Sequence, residues 1–398
     1  MRLFRNSVAA IALILTTIFI FQSDVLATET RVGSMGGVGF YMRDNSNIFV
    51  FPGTFYSYAN QVVGELRVRE TQSFYSIGAH LPVSNTAQIG IYLNSPLSWE
   101  IPFESGIDVV QLNRTTDIFF GTQLANFDLG LALKFAMDSY EDEINPDLKE
   151  TQDATYFEIA AGISNEMMDL GLMFGLPSAS YDLDPAKNSW GGFGAAFNGR
   201  FWLGQKNFIF KFVPLIVANY ASLKTEIDPG GGADKTEIDY GVLDLAVGLG
   251  INYEINEDNL IVLGIEPFGY STETRDQKDF GDYSETTLIL PGIYLGVESY
   301  ITSWLIGRLG AAQVYQKITE KFTPSGGDAI EETYFDKDFQ MTFGLGIMFG
   351  RFLLDARLNE GLLFTGPNFI SGAFEDMAYR ISITYDFGKV DEKEGESQ

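Results

Sequence analysis

The chain lacks cysteine altogether and has one histidine, His80, among 398 residues. Without cysteine there are no disulfides, no thiolate nucleophile and no cysteine-ligated zinc, and a lone histidine excludes a multi-histidine metal site. Basic residues are few, 26 Lys and Arg against 53 Asp and Glu, so the formal net charge is −27. Because binding to nucleic acid depends on clustered cations, we predict no nucleic-acid partner, no metal and no cofactor.

Long apolar runs are also missing, except at the N-terminus. Residues 8–21 carry no charge, follow Arg2 and Arg5, and precede Val25-Leu26-Ala27, where small residues suit a signal peptidase. A spanning helix needs about 20 apolar residues, so residues 1–27 are predicted to be a Sec signal peptide, with a retained anchor as the alternative. No later apolar run is long enough for a spanning helix.

Instead of long apolar runs, the chain has stretches in which apolar residues recur at every second position. In residues 128–138 every second residue is large and apolar, and the same period recurs in 242–253, 340–349 and 379–387. Successive side chains of a strand point to opposite faces, so each run predicts a strand with one apolar face. The aromatic content of 14% also argues against a disordered acidic chain.

Three features favour a membrane barrel over a soluble β-sandwich, which is the alternative. The runs reach about 10 residues, the length that a tilted strand needs to cross a bilayer, against about 5–6 in ordinary strands. In each run the residues between the apolar ones, which form its polar phase, are mostly small or carry isolated charges. The apolar residues, which form its apolar phase, often begin or end with an aromatic residue. We therefore predict an all-β fold, a transmembrane antiparallel β-barrel over residues 61–387, located in the outer membrane.

Sixteen segments qualify as strands, but those near 86–121 are weak, so we predict about 14 strands within a range of 12–16. The segments start near residues 61, 73, 86, 115, 127, 154, 167, 190, 207, 240, 260, 285, 304, 339, 352 and 377. Short and long connections alternate between them, as tight periplasmic turns and long outer loops do. The long loops are predicted at 139–153, 177–189, 224–239, 272–284, 318–336 and 360–376.

The phase opposite the apolar stripe holds charges of both signs in near balance. The residues predicted to line the lumen are Glu65, Arg67, Arg69, Lys134, Arg200, Asp244, Glu298, Arg308, Arg357 and Arg380. Two roles stay open for them: a transverse field that orients a solute in a pore, or pairs that satisfy one another in a filled lumen. The acidic excess falls in the long connections and the tail, where it is solvated or acts on ions at the mouth.

His80 lies on a predicted strand, near Ser73 and Ser76 in sequence. A few outer-membrane barrels are hydrolases that use a histidine, but residues of one strand need not meet in a triad. We predict a packing role for His80, no catalytic residue and no enzyme activity.

Residues 28–60 do not alternate well and are predicted to be a plug rather than a strand. The segment is glycine-dense around Gly36, Gly37 and Gly39, which allows close backbone approach. It continues with an Asx-rich turn that includes Asn47 and with an aromatic run broken at Phe51-Pro52-Gly53. A shift of this segment on ligand binding would rest on Pro52 and the glycines.

This segment resembles the long-chain fatty-acid outer-membrane transporter (FadL/TodX-like) superfamily. The resemblance rests on Ser34-Met35-Gly36-Gly37, the Asp44-Asn45 turn and Pro52 before the first long strand; of the family's Asn-Pro-Ala hatch signature only this proline is present. It implies a barrel of 14 strands with an N-terminal hatch in the lumen and an apolar ligand that follows a pocket lined by Phe and Tyr.

Residues 377–387 resemble the final-strand signal read by the barrel-assembly machinery, and residues 388–398 are predicted to be an acidic disordered tail. The expected partners are thus this machinery, outer-membrane lipid or lipopolysaccharide, and a small-molecule solute. The predicted function is passage of small, hydrophobic molecules across the outer membrane. A non-specific porin and a non-transporting barrel that anchors or presents surface partners are the alternatives.

Overall fold

The computed structural model describes residues 29–68, 73–99, 112, 115–145, 148–204, 209–232, 234–256, 258–277, 280–360 and 378–388. The predicted signal peptide, Arg69 and the tail beyond residue 388 lie outside these ranges.

The described chain begins with four short helical elements and continues as strands. Helix α1 spans Glu29–Ser34, and three 3-10 helices span Val38–Tyr41, Asn45–Phe49 and Pro52–Tyr58. The strands are β1 Gln61–Val68, β2 Ser73–Ser84, β3 Ala87–Leu93, β4 Thr115–Leu124, β5 Phe127–Asn145, β6 Leu148–Ser164, β7 Met168–Leu183, β8 Ala186–Phe201, β9 Phe210–Asp228, β10 Thr236–Asn256, β11 Asn259–Gln277, β12 Gly281–Tyr300, β13 Leu305–Pro324, β14 Ile330–Phe349, β15 Phe352–Leu358 and β16 Ala378–Asp386.

These described strands close into one barrel of sixteen. Each strand pairs with its neighbours in sequence, and β1 pairs antiparallel with β16 from Gln61↔Asp386 to Arg67↔Arg380. The predicted antiparallel barrel is confirmed, whereas the preferred count of about 14 is wrong. The weak region near 86–121 holds two separate strands, because β3 is only 7 residues long and pairs with β4 from Ala87↔Thr122 to Leu93↔Thr116.

The strand faces differ as the period of two predicts. On β5, Leu131, Phe135 and Met137 are 40%, 43% and 72% exposed, whereas Lys134 and Ala136 between them are buried. Large apolar side chains are exposed in this way on the outer face of the strands from β2 to β16. Together they form an apolar belt around the barrel. Because such an area is costly in water and monomeric soluble proteins rarely expose it, the belt is the surface that faces the bilayer.

Within the described ranges, no helix has the length and apolar character that a membrane-spanning helix requires.

Five of the predicted long loops, 139–153, 177–189, 224–239, 272–284 and 318–336, are largely wrong, because the strands continue into them. The sixth, 360–376, lies outside the described residues except for Glu360. Strands β5–β14 have 16 to 21 residues, and β5 and β6 run to a turn at Asn145 and Leu148. Cross-strand ion pairs accompany these extensions, including Lys149–Glu141 at 2.7 Å and Lys224–Glu237 at 2.8 Å. The short turns at the opposite end agree with the prediction, and β5–β14 form a tall wall beyond the apolar belt.

Candidate functional site

The N-terminal segment, residues 29–60, contacts inward-facing residues around the whole circumference of the barrel. Helix α1 lies against β13–β16, the first 3-10 helix against β9–β12, and the third against β4–β7. Its fold is fixed locally by Asp44, whose carboxylate accepts from the Ser46 amide at 3.0 Å while Asn47 Oδ1 accepts from the Asp44 amide at 2.9 Å. This capping box starts the helix Asn45–Phe49.

Arg200 of β8 binds the backbone of this segment. Its Nη1 donates to the carbonyl oxygens of Gly39, Phe40 and Met42 at 3.1, 3.2 and 2.7 Å, and its Nη2 donates to Asn47 Oδ1 at 2.8 Å. The side chain is fully buried. One guanidinium therefore holds two turns of the segment at once.

Asp169 of β7 balances that buried cation. It lies directly opposite Arg200 in the strand register, accepts from Arg200 Nε at 2.8 Å and from Trp202 Nε1 at 2.8 Å, and pairs with Arg43 Nη2 at 3.0 Å. The guanidinium of Arg200 also lies 4.5 Å from the ring centroid of Phe51, which is fully buried. Hydrogen bonds and a cation–π contact thus satisfy both buried charges.

The contacts of Arg200 and Asp169 form a first charged centre between the segment and the wall. A second charged centre joins helix α1 to β12, β13 and β15. Arg31 donates from Nε and Nη2 to Glu298 at 2.8 and 2.7 Å and from Nη1 to Asp44 at 2.6 Å. Arg308 bridges Glu298 at 2.6 Å and Asp355 at 2.5 Å. Burial by itself lowers the pKa of the Arg31 guanidinium, but the charges of Glu298 and Asp44 outweigh it and hold this pKa well above its ordinary value. Arg31 therefore remains cationic.

A third centre lies at the seam where the barrel closes. Glu29 forms an ion pair with Arg380 of β16 and lies 4.0 Å from Arg67 of β1, which pairs with Glu65 at 3.3 Å. Thr30 donates to Glu65 at 3.3 Å. The start of the segment thus bridges the first and the last strand.

Of the other predicted lumen residues, Lys134 and Asp244 lie apart from these centres, whereas Arg357 is directly opposite Arg380 in the register. Lys134 pairs with Asp117 directly opposite it at 3.4 Å and donates to the Pro96 carbonyl at 2.6 Å. Asp244 accepts from Ser271 at 2.6 Å, and Arg357 donates to Glu360 at 3.4 Å.

His80 is fully buried between aromatic rings. Its Nε2 lies 2.7 Å from Tyr92 Oη, its Nδ1 contacts the Tyr58 carbonyl, and the Phe55 ring is 4.9 Å away. Both nitrogens are engaged in contacts that fix the end of the N-terminal segment, which accords with a packing role.

Inward-facing glycines receive the backbone of the segment. A Cβ atom added at Gly130 would overlap Pro52 and Gly53, one at Gly162 would lie 2.6 Å from the Gly53 amide, and one at Gly171 would overlap Val50. Gly36 has a φ of +72° and donates its amide to Thr342 Oγ1 at 2.9 Å, while Gly37 takes a φ of +74°. The predicted close approach at Gly36 is thus a contact with the barrel wall.

Filling one such position is expected to dislodge the segment. In Gly310→Val the new side chain would overlap the backbone of Met35 and Gly36, which cannot yield as a flexible side chain would. We expect a loss of about 1–3 kcal/mol in the free energy of unfolding and faster proteolysis of residues 29–60. Gly191→Val is the matched control, because a Cβ there meets nothing within 4 Å. Equal protease protection in the two variants would contradict the packing described here.

Sequence reasoning placed Asp44 in a turn but predicted no ion-pair partner for it, and it assigned no role to Glu29, Arg31 or Asp117. The available signal was the presence of charges in the glycine-rich segment, but their partners lie far along the chain, Glu298 for Arg31 and Arg380 for Glu29. Asp169–Arg200, Glu298–Arg308 and Asp117–Lys134 were recognisable only with the strand register, because each pair lies directly opposite.

The fold and its outer belt define a membrane-spanning β-barrel with an N-terminal segment bound by its inner face. No family model and no curated protein matches this chain. Among solved structures, the CymD monoaromatic hydrocarbon channel matches 90% of this chain and 97% of its own at 10% identity and a TM-score of 0.40. The toluene transporter TodX of P. putida matches 91% and 99% at 10% identity and 0.36, and the ferric yersiniabactin uptake receptor FyuA of Yersinia pestis matches 82% and 72% at 8% identity and 0.34.

Proposed function

We propose that this protein is an outer-membrane barrel that passes a small, uncharged, apolar solute, and that residues 28–60 are its plug. The observation that carries the proposal is the set of contacts between residues 29–60 and strands on all sides of the barrel. Barrels of 16–18 strands are wide enough to leave an aqueous channel unless something fills them. Contacts of one segment with the wall on all sides support a plugged lumen over a steadily open porin.

The way in which the segment is held supports a plug that can shift. Its three centres are ion pairs and hydrogen bonds, and its backbone rests against glycines rather than in a continuous sheet with the wall. None of these contacts belongs to the hydrogen-bond ladder of the wall, so they can break and re-form with a solute or water while the strands stay paired. Strand pairing of the barrel itself does not depend on them.

Two features of the inner face above the segment support the solute class. An apolar cluster of Trp190, Ile238 and Tyr240 with Leu223 lies on β8–β10. On the adjoining strands four inward glutamates lie directly opposite one another in the register, Glu273↔Glu285↔Glu320↔Glu332. Their field disfavours anions, so the solute is apolar without a carboxylate.

Deletion of residues 31–58 tests the plug. In planar bilayers we expect the intact protein to show low conductance and the deletion variant a large, steady conductance typical of an open barrel of this size. The matched point variants are Arg200→Met, expected to raise conductance, and Lys211→Met, which removes an exposed ion pair with Glu254 and is expected to leave it unchanged. Unchanged conductance and uptake after the deletion would end the proposal.

Solute uptake separates this function from the alternatives. Gram-negative cells that express the intact protein are expected to take up a fluorescent apolar dye faster than control cells, with no gain for a sugar of similar size. Uptake of both would indicate a porin. Uptake of neither would favour a sealed barrel that presents surface partners, a second candidate that the tall wall of β5–β14 and the dense tethering of the segment support.

A further inference from the structure

The outer face of the barrel has a groove where the β7–β8 ladder is interrupted. The strands pair at Gly175↔Gly194 and again at Ser178↔Gly191, and the residues between these pairs are unpaired across the two strands. Pro177 lies in this interval and has no amide hydrogen to donate. The β7–β8 ladder therefore lacks hydrogen bonds at this point, although the register is the same on both sides of the gap.

The groove has a volume of about 510 Å³ and is lined by residues of β5–β8. Phe135, Phe157 and Leu176 form its lower rim, and all three are exposed on the outer face. Its upper part is lined by one register row, in which the exposed side chain of Met137 is followed by the small residues Thr155, Ser178 and Gly191. A Cβ at Gly191 would meet nothing within 4 Å, so this end of the cavity is open space.

The cavity opens toward the bilayer and not toward the lumen. Behind it, Tyr156 is 2% exposed and donates to Glu158 at 2.5 Å. The Trp99 ring fills the inner side of Gly175 and Gly194, where an added Cβ would lie 2.6 and 2.5 Å from it. Whatever occupies the cavity therefore comes from the membrane.

The groove lies at the upper boundary of the apolar belt. The outward row below it consists of Phe135, Phe157 and Leu176. The outward row above it is polar throughout: Ser139, Asp153, Ser180 and Ser189. This is the level at which hydrocarbon gives way to the polar part of a lipid.

We propose that the groove binds one alkyl chain of an outer-leaflet lipid, with the polar linkage of that chain at the hydroxyls of Thr155 and Ser178. The groove is continuous with the belt that faces the bilayer, and its volume is that of a ligand site, about 300–1,000 Å³. The lysines around the groove are already paired: Lys224, directly opposite Gly191 in the register, with Glu237 at 2.8 Å, Lys187 with Asp182 at 2.6 Å and Lys149 with Glu141 at 2.7 Å. The site thus recognises the chain and its neutral linkage rather than a phosphate.

Native mass spectrometry of the protein released from membranes in mild detergent tests this site. The intact protein is expected to retain one lipid. A Gly191→Leu/Ser178→Leu variant fills the groove and is expected to retain about tenfold less, whereas Ala161→Leu, at an exposed position of the belt outside the groove, is expected to retain as much as the intact protein.

The single variant Gly191→Val provides a second test, since its side chain enters open space and does not endanger folding. It is expected to lower lipid retention in the same direction, and heat-modifiable migration on gels reports whether each variant is folded. Equal retention in the folded groove variants and in Ala161→Leu would overturn the proposal, as would an intact protein that retains no lipid or retains an apolar solute in its place. None of these outcomes bears on the plug.

Discussion

Replacement of Arg200 by methionine is expected to lower the free energy of unfolding by about 3–5 kcal/mol, the usual cost of removing one partner of a buried ion pair. The variant leaves Asp169 buried with Arg43 as its remaining cation. It also removes the Arg200 donor from the carbonyls of Phe40 and Met42, whereas the Gly39 carbonyl keeps Asn47 Nδ2 as a donor. Methionine fills much of the same volume, so the loss reports charge and hydrogen bonds rather than a cavity.

Urea unfolding in lipid vesicles, followed by tryptophan fluorescence, measures this loss. In Lys211→Met an exposed pair with Glu254 at 3.0 Å is removed, and the change is expected to stay within about 1 kcal/mol. The double variant Arg200→Met/Asp169→Leu is expected to recover part of the stability, since no buried charge is then left unpaired. A single variant as stable as the intact protein would show that Arg200 does not hold the segment.

The alternation of apolar and polar residues made the strands predictable. Its absence outside the bilayer explains why several strand starts were predicted too late. The predicted start near 127 coincides with β5 at Phe127, at the end of the barrel where the turns are tight. The predicted start near 154 is late, because β6 begins at Leu148. Above the bilayer both faces of a hairpin meet water, so the apolar period of two stops while the strand continues. The alternation therefore marks the part of each strand that crosses the bilayer, not the full length of the strand.

The inward glycines show a different limit. Their place in the polar phase was interpreted as a sign of a wet interior, and the structure instead sets the backbone of residues 50–53 against Gly130, Gly162 and Gly171. Small residues are required by either arrangement, so composition alone cannot distinguish them. The distinction lies in contacts between residues more than 70 positions apart.

The inward-facing charges fall into two sets, one at the level of the N-terminal segment and one on the tall wall above it. The inward charges at the level of the segment are mostly paired with one another, as Glu298 is with Arg308 and Asp169 with Arg200. The unbalanced acids lie on the tall wall, where four glutamates share one register row. Like charges directly opposite destabilise a sheet, so this row lowers the stability of the wall.

Leu133→Arg is expected to cost about 2–4 kcal/mol in the free energy of unfolding, because it places a cation near the middle of the bilayer. Leu133 shares the outer face of β5 with Leu131 and Phe135. It lies six residues above the turn at Phe127, which for a strand tilted by about 45° is ~14 Å into a belt about 25 Å tall.

Two arginine variants on the same strand are its controls, in the same urea assay. Ser139→Arg, on the same face but in the polar row, is expected to change stability by about 0–1 kcal/mol, as substitutions near the interface do. Ala132→Arg points inward, where Ala132 packs with Phe49, so it is expected to disturb the N-terminal segment and to raise its proteolysis. If Leu133→Arg and Ser139→Arg cost the same, the belt does not face lipid at this height. If Leu133→Arg rather than Ala132→Arg exposes residues 29–60 to protease, the two faces of β5 have been assigned in reverse.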